Sequence, residues 1–156
     1  MKLYCPVHAF VPEHGSGAEW MLHDMLKYLV DRGHEAIVQV PNAKEKEFNG
    51  IKVVSDIIPQ VVRSSDVIIS HLNRTGAGLN LGQAYKKPFV FIAHNTHPYG
   101  MVAVKRKKIG VIYNSEFVKG EVHRIHKHQP TMIVTPPCDI EHYKIKKPGT
   151  HVTLIN

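Results

Sequence analysis

The chain has 156 residues, a hydrophobic share of 43% and a formal charge of +7, from 20 Lys+Arg against 13 Asp+Glu. That length suits one domain with a real core, which excludes a disordered chain and a disulfide-stapled mini-protein. No apolar run approaches the roughly 20 residues of a membrane-crossing helix, the opening Met1-Lys2-Leu3-Tyr4-Cys5-Pro6 turns polar too soon for a signal peptide, and Cys5 and Cys138 form no CxxC or zinc spacing, so a reduced cytoplasmic protein is expected.

In chain order, Lys2 to Phe10 reads as a first strand, followed by the glycine-containing loop Pro12-Glu13-His14-Gly15-Ser16-Gly17. Ala18, Met21, Leu22, Met25, Leu26 and Leu29 recur at helical spacing and form one apolar stripe. Ser16 and Glu19 have the spacing of a capping box, and Arg32-Gly33 supplies the helix stop. Ala36 to Val40 is short and β-branched, as a buried strand is. Asn49-Gly50 turns into a strand over Ile51 to Val54, and Asp56 to Arg63 reads as a short helix with Pro59 in its first turn. Val67 to Ser70 is a buried strand, Gly76 to Tyr85 a weak helix, and Phe89 to Ala93 and Gly110 to Tyr113 are strands. Ser115 caps a helix with the stripe Val118, Val122 and Ile125, and Thr131 to Thr135 is a strand ended by Pro136-Pro137. Strands alternating with helices predict an α/β, Rossmann-like domain: a mostly parallel sheet with helices on both faces.

In such sheets ligands sit beyond the carboxyl ends of the strands. Gly15-Ser16-Gly17 lets backbone approach a ligand and opens a helix, whose free N–H groups and dipole favour a phosphate. It is not the full GxGxxG fingerprint, because Trp20 stands where the third glycine belongs. His94-Asn95-Thr96-His97 follows a strand, where a histidine can exchange a proton or hydrogen-bond a ligand; Arg74 offers an anion contact. Lys105-Arg106-Lys107-Lys108 could face an anionic surface, though such runs are more often solvated faces. His123, His126 and His128 lack a nearby carboxylate or cysteine, and no HExxH or DxD-type acidic pair stands out, so no metal site is expected.

The order of motifs resembles glycosyltransferase family 4 and its GT-B-fold relatives. Gly15-Ser16-Gly17-Ala18-Glu19, the helix and Asp31-Arg32-Gly33-His34-Glu35 are similar to that family's opening. Ile112-Tyr113-Asn114-Ser115-Glu116-Phe117 is similar to its strand and "N-S-x-x" helix start, and Pro136-Pro137-Cys138-Asp139-Ile140-Glu141-His142-Tyr143 to its "N-G-V-D-x-x-x-F" segment. The resemblance implies one half of a GT-B fold. Residues 1–143 would be the N-terminal, acceptor-side domain, 144–150 a linker, and 151–156 the start of a second domain or a terminal strand.

Carried over by position, Gly15, Ser16 and Gly17 would lie near donor phosphates, and His94 near the reacting sugar as the catalytic residue. Arg74, Asn95 and His97 would be acceptor-side contacts. Two departures stand out: Asn95 where an aspartate is frequent, and Gly15-Ser16 in place of paired glycines. The resemblance implies transfer from a nucleotide-sugar co-substrate without a bound metal or tightly held cofactor. The acceptor would be a glycan, a lipid-linked sugar, a small molecule or a nucleic acid, and the chain alone would be nearly inactive. The positive charge favours an anionic acceptor or the inner face of a membrane. The competing reading is a non-catalytic basic module that binds nucleic acid or another anionic partner.

Overall fold

A computed structural model describes residues 1–97, 100, 105, 109–124 and 130–137. The strands are β1 (Lys2–Pro6), β2 (Glu35–Gln39), β3 (Glu47–Phe48), β4 (Ile51–Val54), β5 (Val67–His71), β6 (Phe89–Ala93), β7 (Gly110–Tyr113) and β8 (Thr131–Ile133). The helices are α1 (Gly17–Val30), α2 (Pro59–Ser64), α3 (Thr75–Ala84) and α4 (Glu116–His123), with a 3-10 turn at Leu72–Arg74 before α3. The strands form one eight-stranded sheet in the order β3-β4-β2-β1-β5-β6-β7-β8. Every neighbouring pair is parallel except β3 with β4. This is the expected Rossmann-like α/β fold.

Alternation along the strands sends side chains to two cores. Leu3, Cys5, Val38, Ile51 and Ile69 meet Met21, Leu22 and Leu26 of α1 on one face. Tyr4, Ile37, Ile68, Phe91 and Val111 meet Val62 of α2, Leu79 of α3 and Val118 and Val122 of α4 on the other. Burying Leu22 and Leu26 of the α1 stripe stabilises the fold by about 2 kcal/mol each. The helix stop falls where expected: Gly33 takes φ 81° and donates its N–H to the Val30 carbonyl at 2.9 Å. Ser115 caps α4 by accepting from the Val118 N–H at 3.2 Å.

Local expectations are corrected at β1, α1, β5 and α3. β1 stops at Pro6 rather than Phe10; Phe10 and Val11 are buried as loop residues packed against the α1-side core. A buried loop residue is as apolar as a strand residue, so composition did not separate them. The Ser16–Glu19 pair is not a capping box: Ser16 caps no backbone N–H, and its hydroxyl donates to the Glu19 carboxylate. β5 runs one residue further, to His71, and α3 begins at Thr75. β3 has only two residues, too short to leave a periodic signal. The segment 138–156, Arg106–Lys108 and the His126–His128 stretch lie outside the described residues.

Candidate functional site

The strand order places β1 beside β5, although 60 residues separate Pro6 from Val67. From β1 the chain leaves for α1 on one face; from β5 it leaves for α3 on the other. Loops that diverge in this way open a crevice at the carboxyl ends of the two strands, the usual ligand position of doubly wound sheets. Ser70 braces the pair by donating its hydroxyl to the Pro6 carbonyl at 2.6 Å.

Histidines occupy this end of three strands. His8 lies two residues past β1, His71 closes β5, and His94 follows β6. Glu19 joins them from the first turn of α1. His71 is 0% exposed, and its Nδ1 meets His94 Nε2 at 2.9 Å. Burial pushes the His71 pKa down to about 3, with the His94 and His8 charges adding to the effect. Burial also pushes His94 down to about 4, against the pull of the Glu19 carboxylate. Both rings are neutral at pH 7, so in their shared bond one nitrogen donates and the other accepts. His94 spends Nε2 on this bond, which leaves Nδ1 for a ligand.

Glu19 is 0% exposed. One of its oxygens accepts from Ser16, while Oε1 lies 3.6 Å from His8 Nε2. Glu19 Oε1, His71 Nε2 and His8 Nδ1 are buried with no hydrogen-bond partner among the described residues. Leaving such a group unsatisfied costs about 1–3 kcal/mol. A nitrogen of each histidine and a carboxylate oxygen of Glu19 all lie within 4.8 Å of one another. The cluster borders two hollows. One, of about 190 Å³, is lined by His8, His14 and Glu13; the other, of about 220 Å³, by His94, Asn95, His97 and Asn73.

Of the residues singled out from the sequence, His94, Asn95 and His97 come together in that second hollow. The Asn95 side chain accepts from the His97 N–H at 3.0 Å, and Asn114 donates to the His94 carbonyl at 3.0 Å, which holds the loop in place. Ser16 reaches the cluster through Glu19. Gly17 begins α1, and a Cβ there would meet nothing within 4 Å, so its surroundings are open to an incoming group. Arg74 ends the 3-10 turn and does not line the hollow with His94. Of the basic run only Lys105 is described, and it is exposed.

Neither a protein-family model nor a curated protein matches the chain. What the site can do therefore rests on its own geometry and on the motif order.

His8, His71 and a structural partner for His94 were not apparent from the sequence. Their signal was a histidine at or just after the end of three apolar strands: Val7-His8, Ser70-His71 and Ala93-His94. Only the strand order tells that these ends are neighbours.

Proposed function

We propose that this chain is the acceptor-side domain of a glycosyltransferase that moves a sugar from a nucleotide-sugar donor to an acceptor. Four motifs in the order of glycosyltransferase family 4, together with a Rossmann-like sheet, support the reading. The observation that carries it is His94: a neutral imidazole at the carboxyl end of β6, oriented by His71, on the side of the sheet where α1 begins. A neutral ring there can hydrogen-bond a sugar hydroxyl or the donor's phosphate oxygens. Gly17, at the N-terminus of the 14-residue α1, offers backbone N–H groups and a positive dipole end to phosphate. Asn95 and His97 line the hollow where an acceptor would sit, and Arg74 flanks it rather than lining it. The donor's base and sugar would be held mainly by a second, donor-binding half, so this domain by itself would turn over little.

The test is release of nucleoside diphosphate from UDP-, GDP- and ADP-sugars by the natural protein that carries this domain, with and without acceptor mixtures. His94→Ala should lower kcat on the order of 100-fold with a small change in KM. An equal loss in both would demote His94 to a positioning role. No release from any donor, combined with nucleic-acid binding that weakens steeply with salt, would replace this reading with the basic binding module.

A further inference from the structure

We infer that His8, Glu19 and His71 bind one zinc ion, with its fourth coordination position open to the crevice beside His94. The inference does not rest on sugar transfer, and it departs from the metal-free site that the family resemblance implies.

Three elements converge on one point: the loop after β1, the first turn of α1 and the end of β5. They bring two imidazoles and a carboxylate, a ligand set used by catalytic zinc sites that keep one open position. Atoms bound to one tetrahedral zinc at about 2.0–2.2 Å stand about 3.3–3.6 Å apart. His8 Nε2 and Glu19 Oε1 are 3.6 Å apart, close to that spacing, and one nitrogen of each histidine and a Glu19 carboxylate oxygen all lie within 4.8 Å of one another. His8 sits at the rim with a side chain 33% exposed, freer to adjust than the two buried ligands.

Two observations separate this group from a chance cluster. Glu19 Oε1 and His71 Nε2 belong to fully buried residues and have no hydrogen-bond partner among the described residues. A cation between them would satisfy both at once. The opposite ends of both side chains are already oriented. His71 Nδ1 meets His94, and the other Glu19 oxygen accepts from Ser16. Ligands of bound zinc have this second layer of partners: a histidine on the metal donates its far N–H to a neighbour. With zinc on Nε2, His71 Nδ1–H donates to His94 Nε2 and leaves His94 protonated on Nδ1. Magnesium and calcium prefer oxygen cages, which two imidazoles do not supply.

The test uses the untagged chain, stripped with EDTA and titrated with Zn²⁺ against a chromophoric chelator. One zinc per chain is expected at micromolar concentration or below, and Co²⁺ in its place should give the visible absorption of a four-coordinate ion. His8→Ala and Glu19→Gln should each weaken zinc about 100-fold or more, and His94→Ala about 10–100-fold. His34→Ala should change nothing; His34 lies 3.0 Å from the N-terminal amine and is the control for a site there. Circular dichroism establishes that each variant is folded. If Glu19→Gln unfolds the chain, the rim residue His8 decides. Undiminished zinc binding by folded His8→Ala, or less than one zinc per chain at tens of micromolar, overturns the site.

Discussion

His71 carries an imidazole to the end of a central strand and loses contact with water there. An unfolded chain protonates that ring near pH 6.5; the fold resists until about pH 3, and holds His94 neutral until about pH 4. Between those limits the unfolded state binds more protons than the native one. Stability is therefore complete above about pH 6.5 and is lost as the pH falls, by up to ~1.4 kcal/mol per pH unit for each histidine. Denaturant unfolding of the metal-free protein at pH 7, 6 and 5 should follow this course, and His71→Gln should flatten the slope. An unchanged slope in the variant would mean that the native state accepts the proton. Residue identities made His94 legible, because a histidine after a clean strand stands out. The role of Glu19 was not: the Ser16-x-x-Glu19 spacing is that of a cap, and only packing turned the carboxylate inward to the histidines.

The helix α3 shows how an element can oppose its own propensities. Gly76, Gly78 and Gly82 lie in ten residues, so the segment reads as a weak helix. Packing accounts for the second of them. A Cβ on Gly78 would stand 2.7 Å from Phe89 Cε2 and 2.7 Å from Ser70 Cβ, so the glycine lets α3 lie against β5 and β6. Gly78→Ala should cost about 1–3 kcal/mol through overpacking. Gly76→Ala, whose Cβ meets nothing within 4 Å, should instead stabilise by about 0.5–1 kcal/mol. Thermal unfolding of the pair decides; equal stabilisation by both would mean that α3 has slack against the sheet. Elements whose signal is local were readable to the residue: β6 and β7 have the expected bounds, because Pro88 and Gly110 delimit short apolar runs. β1 was overextended because the loop behind it is buried too.

At the scale of the molecule, the placement of β1 beside β5 creates the site. It joins residues 8, 19, 71 and 94, none of which is within ten positions of another. A zinc ion held only by the assembled cluster must stabilise the whole domain by mass action. At a free concentration 100 times its dissociation constant, zinc should add about 2.7 kcal/mol to unfolding, and EDTA should remove it. No zinc-dependent shift under those conditions would mean that the unfolded chain binds the ion as well as the native one does. The charge of +7 belongs to this scale too, since net charge acts through the field of the entire surface.

The sequence by itself determined the fold class, the chain order of most strands and helices, and His94 with its neighbours as a candidate site. Those rest on periodicity, caps and turns, which act over a few residues. Tertiary structure decided which strand ends adjoin, and hence that His8, Glu19 and His71 converge, that Ser16 serves a carboxylate rather than a helix end, and that Arg74 stands aside. The physical reason is that hydrogen-bonded neighbours in a parallel sheet are chosen by packing across the whole core, so residues far apart in sequence share a site with no local pattern to announce it.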